Sequence, residues 1–485
     1  MAAPTGRLGE LLSKHKDDIR QHFDAIAPSR AAWIEKNAFF YESDWRYMRF
    51  LIPEGKRVLE LGCGNGALLA RLRPSRGVGI DISPRMIERA RLDFPNLEFV
   101  VGDIEDDATL AALPGPFDYV VLSDTLGNLE DCQAMLDRLH QVCHSETRIV
   151  CAYYSPLWEP VMTLAEKAGG KMPQPQQNWF SAEDIAALLH LGDFDVVRRE
   201  WRQLLPKRAF GLGWLVNSTL AALPLLRRLC LRHYVVARSM RHVSPDAPSV
   251  TVVVPCRNER GNIEAAVTRT PKLGPKQEII FVEGNSNDGT YEECLRVQAA
   301  YPDHSIRVMK QEGRGKGDAV RKGFAAAEGD ILMILDADLT VPPESLPKFV
   351  AAIASGKGEF VNGTRLVYPF EKGAMRFLNF LANRSFAAIF SWLLDQRFTD
   401  TLCGTKVLRK RDYDQIVANR AYFGDFDPFG DFDLIFGAAK LSLKVVEVPI
   451  RYADRTYGET NISRFRHGWL LLRMVAFAFR KMKVA

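Results

Sequence analysis

At 485 residues the chain is long for one hydrophobic core and comfortable for two, and 47% hydrophobic with 25% charged residues is an ordinary globular composition without long disordered tracts. A net charge of +5 with no basic block of five or more residues argues against nucleic acid as the main partner. Eight scattered cysteines with no C-x-x-C pair fit neither a disulfide framework nor a zinc site.

The cysteines read as core thiols in a reducing compartment, and His140, Cys143 and His144, with no second ligand group in sequence, read as a solvated helix end. Residues 1–20 are polar and charged with no apolar run, so no secretory signal is expected and the protein is expected in the cytosol. Up to about residue 50 the spacing is helical, with Phe39, Phe40, Tyr41, Trp45 and Tyr47 placed to cover a pocket or to pack in a core.

A short apolar strand, Arg57-Val-Leu-Glu-Leu, then runs into Gly62, Gly64 and Gly66 and onward into a helix. Glycines allow close approach of the backbone to a ligand, and the following helix start offers unpaired N–H groups. A second strand ends at Asp81, about twenty residues after Gly62, where an acid meets ribose hydroxyls and disfavours a phosphate at that edge. Third and fourth strands end at Asp103 and at Ser123 with Asp124.

With these four strand ends in order, roughly residues 40–240 resemble the class I S-adenosylmethionine-dependent methyltransferases. The resemblance implies a doubly wound sheet of seven strands. It places Glu60 and the glycine loop near the methionine part of S-adenosylmethionine, Asp81 on the ribose and Asp103 near the adenine. Methyl transfer needs chiefly in-line positioning, so a dedicated base is optional. Asp124, Tyr153 and Tyr154 follow strand ends where they can touch an acceptor or simply pack. Ser181 reads as the cap of a helix running to Leu189, and strands near Asp195 and His233 close the sheet as a hairpin.

Between those strands lies an uncharged stretch, 209–226, bracketed by Lys207, Arg208, Arg227 and Arg228. Asn217, Ser218, Thr219 and Pro224 interrupt it, which favours a membrane-surface or domain-docking helix over a spanning one. Arg238 to Ser249, with Pro245 and Pro248, reads as a linker.

The second half opens with a strand, Ser249-Val-Thr-Val-Val-Val-Pro, followed by Cys256-Arg-Asn-Glu259. The next strand ends in Glu283-Gly-Asn-Ser-Asn-Asp-Gly289, a turn dense in acids, amides and glycines that can bond a base and ribose. After a flexible Gly313-Arg-Gly-Lys-Gly317 comes the apolar run Ile331–Leu335, ending in Asp336-Ala-Asp338. In an extended chain both carboxylates point the same way, and the pair suits Mg²⁺ or Mn²⁺, which fill their shells with water and substrate phosphates.

These motifs, in combination and in this order, resemble the family-2 glycosyltransferases with a GT-A fold. The resemblance implies that Pro255, Asn258, Glu259, Glu283 and Asp288 face the nucleotide of a sugar donor and that Asp336 and Asp338 hold the metal on its diphosphate. Glu283-Gly284 stands where the family often has two successive Asp residues, so the base is left open. Phe360–Arg365, Asp400–Lys406, Asp431-Phe-Asp433 and Val446–Asn461 look most like the dolichol-phosphate mannosyltransferase branch, which glycosylates polyprenyl phosphate. The family's motifs put Lys316 on substrate, the branch's put Arg365 and Lys406 there, with Asp433 near the acceptor and Arg455 on phosphates, and Asp338, Asp433 and Arg455 are the residues expected to be catalytic. Thr460 and Asn461 replace the branch's usual serine and lysine. No Q-x-x-R-W motif occurs, which favours transfer of a single sugar.

Two further stretches, 372–394 and 464–483, set arginines among apolar and aromatic residues and suit a membrane interface or an amphipathic helix docked on the enzyme itself. The sequence therefore predicts a two-domain α/β chain. Residues 1–240 form a Rossmann-like methyltransferase domain, 241–249 a linker, 250–463 a GT-A nucleotide-sugar domain and 464–485 an amphipathic membrane-associated segment. It should act peripherally at the cytosolic face of a membrane, moving one sugar to a polyprenyl phosphate with inversion. Two rivals stand beside this: a first domain that only binds S-adenosylmethionine and regulates the second, and a soluble glycan or protein as glycosyl acceptor.

Overall fold

The computed structural model describes residues 7–242, 247–368, 377–423, 432–455, 457 and 464–484. The chain divides into two compact units, one within residues 1–243 and one within 244–483. Each is built on a seven-stranded sheet.

In the first unit, β1 (Arg57–Leu61), β2 (Arg76–Asp81), β3 (Glu98–Val101), β4 (Tyr119–Ser123) and β5 (Arg148–Tyr154) are parallel, while β6 (Phe194–Arg202) and β7 (Arg232–Ser239) form an antiparallel pair on β5. The order is β3-β2-β1-β4-β5-β7-β6. Helices cover both faces, so the central strands are apolar nearly throughout, with Val58, Leu59, Val78, Ile80, Val120 and Val121 fully buried. Strand order reverses at β1 and β4, which opens a crevice beyond their carboxyl ends. Local signals set the covering helices: Ser181 and Asp184 form the reciprocal capping box of the helix Ala182–Leu191, and Ser83 caps Pro84–Asp93 with proline in its first turn.

The second unit has β8 (Val250–Cys256), β9 (Gln277–Glu283), β10 (Ser305–Lys310), β11 (Ile331–Ile334), β12 (Phe360–Thr364), β13 (Lys406–Arg409) and β14 (Val445–Pro449) in the order β10-β9-β8-β11-β13-β12-β14. Only β13 runs against its neighbours. Strand β11 is central and its residues are wholly buried, as the apolar run predicts.

Two expectations about local shape are corrected, and for Tyr153, read as touching an acceptor or packing, the structure shows packing. The stretch 209–226 is not one helix: it breaks into turns at Ala209–Gly211 and Leu220–Ala222 around a short helix, Leu212–Ser218. Its polar residues bond backbone, Asn217 pairing with both the N–H and C=O of Leu205, and Thr219 Oγ1 donating to Leu215 O. Second, β11 stops at Ile334, and Asp336-Ala-Asp-Leu339 is a turn closed by Leu339 N–H on Asp336 O, with Leu339 at φ 51°. The two carboxylates consequently do not lie along one face of an extended strand. Tyr153 points away from the crevice, because successive residues of β5 face opposite sides of the sheet, and its hydroxyl donates to Asn178 O at 2.5 Å.

All eight cysteines are buried, and His140 is held between Ser239 Oγ and Gly192 O, each at 2.7 Å. Among the described residues no helix is long and apolar enough to cross a membrane. The helix Arg464–Ala478 and the wider turn Phe479–Lys483 bury Leu471, Met474, Ala478, Met482 and Lys483, while Trp469 and Leu472 are exposed. The stretch 372–394 is likewise divided, with Phe390, Leu393 and Leu394 buried in the helix Phe377–Leu394 and Leu381 exposed. Asp431, Thr460 and Asn461, named in the sequence, and 372–376 of the second apolar stretch lie outside the described residues.

Candidate active sites

In the first unit a cavity of about 390 Å³ occupies the crevice. Its floor is the turn after β1. Gly62 sits at φ +72°, and a Cβ there would come within 2.7 Å of Thr125 Oγ1, which itself donates to Leu61 O. Any side chain would push this loop off the sheet end. Asp81, at the end of β2, accepts Gly64 N–H at 2.8 Å and Ser83 N–H at 2.9 Å, so it fixes the loop as well as lining the cavity.

Glu60 is 3% exposed and one of its carboxylate oxygens, Oε2, has no hydrogen-bond partner. Burial, reinforced by Asp81, pushes its pKa up to about 8. Asp103 is bound by Lys16 of the helix Arg7–Ile26 at 2.7 Å, and the same lysine reaches Glu105 at 3.2 Å. Glu60, Gly62, Gly64, Asp81 and Asp103 thus line one cavity, whereas Gly66 acts behind it: a Cβ there would strike the Phe99 ring.

The cavity's other end holds a group that sequence reasoning missed. Arg232, 1% exposed, donates from Nε to Asp44 at 3.0 Å, also pairs with Asp124, and reaches Ser123 Oγ at 3.3 Å. Tyr234 OH completes it on Asp44 at 2.6 Å. Asp124 holds φ 60°, a backbone conformation uncommon outside glycine, and burial raises its carboxyl above the usual range despite Arg232. The available signal was slight: Asp44 is one of two acids in an aromatic helix, and Arg232 is one of several cations that follow the apolar stretch.

The folded Glu60 carboxyl keeps its proton up to about pH 8, whereas the unfolded chain releases it near 4.5. Between those values the folded state binds more protons, so its contribution to stability falls as pH rises through the window. We expect the urea midpoint of the first unit to fall more steeply from pH 5 to 8 in the parent than in Glu60→Gln; parallel slopes would contradict this.

In the second unit the ends of β8, β9 and β11 carry the polar groups. Asn258, at φ 57°, accepts Asn287 N–H and donates its own N–H to Ser286 Oγ, both at 3.0 Å, which ties the β8 and β9 turns together. Glu283, 2% exposed, accepts Ser286 N–H at 2.5 Å. Asp288 accepts from Thr290 and from Tyr457 OH. Pro255 is the half-buried last residue but one of β8.

Asp338 binds Arg455 at 2.7 Å, and Arg455 reaches Glu259 at 3.2 Å. Asp336 binds Lys316 at 2.6 Å. Burial works to raise the Asp336 carboxyl, but Lys316, Lys406 and Arg365 hold it below the ordinary carboxylate range. Gly404 lies so close that a Cβ would enter both the Asp336 carboxylate and the Lys316 ammonium. The structure therefore gathers Glu259, Lys316, Asp336, Asp338 and Arg455.

Two residues expected on substrate, whose charge acts on Asp336, are also anchored to the scaffold. Arg365 makes a two-pronged bond to Asp400, at 2.7 and 2.9 Å, where the aspartate is fully buried. Lys406 is buried and donates to Cys403 O. Asp433, in the first turn of the helix Phe432–Lys440, belongs to a separate group with Arg420 at 3.4 Å and Arg321 at 3.9 Å.

Residues 38–199 match the family model described as a methyltransferase domain, and residues 251–417 match that of glycosyl transferase family 2. The second half is similar to the dolichol-phosphate mannosyltransferase of Pyrococcus furiosus, 30% identical over 48% of this chain and 64% of that protein. It is also similar to the undecaprenyl-phosphate 4-deoxy-4-formamido-L-arabinose transferase of Klebsiella pneumoniae, 27% identical over 46% of this chain and 65% of that one. The chain thus spans just under two thirds of the length of either relative. Among solved structures, a possible histamine N-methyltransferase of Thermotoga maritima is 16% identical over 45% of this chain and 99% of its own, with a TM-score of 0.35.

Proposed function

We propose that this chain, a methyltransferase domain followed by a family 2 glycosyl transferase domain, moves a methyl group in its first unit and one sugar, from a nucleotide sugar to a polyprenyl phosphate, in its second. The observation that carries the glycosyl reading is the gathering of Asp336 and Asp338 with Lys316 and Arg455 at the carboxyl end of a buried strand. The acceptor class follows from what the two relatives are named for.

The two carboxylates are hard oxygen donors that suit Mg²⁺ or Mn²⁺, which would neutralise charge on a diphosphate. Lys316 and Arg455, already at those carboxylates, are placed to bind the same diphosphate as its bond to the sugar breaks. An acceptor phosphate oxygen, ionised near neutral pH, attacks the anomeric carbon from the opposite face and inverts it. Arg321 and Arg420 flank Asp433 and offer cations to that phosphate, with Asp433 orienting it. Such an acceptor would keep the enzyme peripheral at the cytosolic face of a membrane.

In the first unit the residues fit S-adenosylmethionine. The loop at Gly62 has no room for a side chain, and the unpartnered Glu60 oxygen is matched to a cationic or N–H group of the ligand. Asp81 is the ribose ligand. Its replacement by alanine also frees the Gly64 and Ser83 N–H groups, so affinity for the donor should drop by about 1–3 kcal/mol; unchanged affinity by titration calorimetry would contradict this.

The broader test is thermal unfolding with a panel of nucleotide sugars. One nucleotide sugar should raise the melting temperature in the presence of Mn²⁺ and S-adenosylmethionine should raise it without metal, because a ligand stabilises the state it binds. The same sugar should then appear on polyprenyl phosphate. Transfer to a water-soluble glycan at equal rate would replace the acceptor assignment.

A further inference from the structure

From Leu204 to Leu231 the chain contains no acidic residue, and it is folded into short turns that point large apolar side chains at solvent. Phe210 is fully exposed, Leu225 is 88% exposed and Trp214 56%. Phe210 is held outward by a strained backbone, with Ala209 at φ 42° and Phe210 at φ 53°, two successive non-glycine residues in left-handed conformation. Such conformations persist where surrounding structure enforces them, and they cluster at sites of function.

A second apolar panel lies beside the first. The helix Glu159–Lys167 exposes Val161 and Leu164, and Trp158, just before it, donates from its indole N–H to Leu229 O at 2.8 Å. The same two panels wall one end of the first unit's cavity, through Trp158, Val161, Met162, Pro206, Lys207 and Leu231. Since Val161 and Lys207 are also exposed, this end is the mouth. These wall residues share the cavity with Asp124 and Glu60.

We propose that the methyl acceptor of the first unit is carried by a lipid and enters this mouth from an anionic lipid surface on which the two panels lie. This rests on the reading of the unit as a methyltransferase. In the 204–231 panel, apolar and aromatic side chains edged by cations have the composition of an interfacial segment, while the helix panel adds apolar surface with Glu159 and Lys167 at its two ends. Lys207 and Arg208 are exposed with no carboxylate partner among the described residues, whereas Arg228 is taken by Glu183. A second copy of this face is a poor occupant, because a two-fold contact would set these unbalanced cations against themselves.

The test uses the full chain, a Phe210→Asp/Trp214→Asp double variant, and vesicles of phosphatidylcholine with phosphatidylglycerol. The substitutions lie on exposed side chains outside the cavity lining, so affinity for S-adenosylmethionine should stay within about twofold. Retention on vesicles should fall by about tenfold or more, and trypsin cleavage after Lys207 and Arg208, slowed by vesicles in the parent, should become insensitive to them. Methyl transfer into an organic-soluble lipid extract should fall in parallel. Retention and trypsin protection unchanged in the variant would overturn the proposal, as would methylation of a water-soluble fraction at a rate the variant does not alter. A shift of oligomeric mass without loss of vesicle retention would make the panels a self-association surface and overturn it too. If the parent fails to bind S-adenosylmethionine, the methyltransferase reading fails, while the vesicle and trypsin arms still decide whether the panels lie on lipid.

Discussion

Asp336→Asn and Asp338→Asn should each lower sugar transfer on the order of a hundredfold or more while leaving affinity for S-adenosylmethionine unchanged. The substitution keeps size and hydrogen-bonding capacity and removes one negative charge. At position 336 that charge sits 2.6 Å from Lys316 and is held ionised by three cations, and at position 338 it sits 2.7 Å from Arg455. On the proposed mechanism, removing either weakens the divalent ion's site and also lets Lys316 or Arg455 swing away from the diphosphate. Both side chains keep some solvent exposure, so stability should change by well under the loss in activity. The measurement is transfer from a labelled nucleotide sugar with and without excess chelator, alongside the melting temperature. A parent enzyme that retains full rate in chelator would remove the metal from the reaction, and a variant near parental rate would remove the carboxylate.

How much of this site was legible in the sequence follows from how local each feature is. The buried run Ile331–Ile334 and the acids after it are local, and the sequence identified both. The turn that carries those acids was not legible. It needs Leu339 at φ 51°, a conformation leucine adopts only because its side chain is buried in the core of the second unit. The capping box at Ser181 and Asp184 is likewise a spacing of three residues, readable directly. Arg232 and Asp44 meet across 188 positions and carry no spacing that announces them. Arg365 illustrates the converse. Its motif marks it for substrate, and only the fold reveals that Asp400, at 0% exposure, takes Nε and one terminal nitrogen of its guanidinium.

The C-terminal residues present the same problem of distance, and the second large effect is expected there. Lys483 and Asp395 form an ion pair at 2.7 Å with side-chain exposures of 1% and 0%. Around it Met474, Ala478 and Met482 are fully buried, and Tyr422 and Lys481 exchange bonds with each other's backbone carbonyls. Composition alone reads this stretch as equally suited to a lipid interface, but one whole face of it closes the second unit. Lys483→Ala removes this cation from a buried carboxylate, and breaking such a pair costs about 3–5 kcal/mol. Replacing both partners, as Asp395→Asn/Lys483→Met, should recover much of that loss, since asparagine tolerates the left-handed backbone at 395 (φ 55°) and methionine fills the lysine's apolar path. Urea unfolding of the full chain separates the cases: S-adenosylmethionine should shift the first unit's transition, and Lys483→Ala the other one. Deleting residues 465–485 should then abolish sugar transfer by unfolding the second unit, whether or not the exposed Trp469 and Leu472 touch a membrane. A Lys483→Ala midpoint within about 1 kcal/mol of the parent would mean that water or a neighbouring cation relieves Asp395, and the truncation would again become a test of lipid binding.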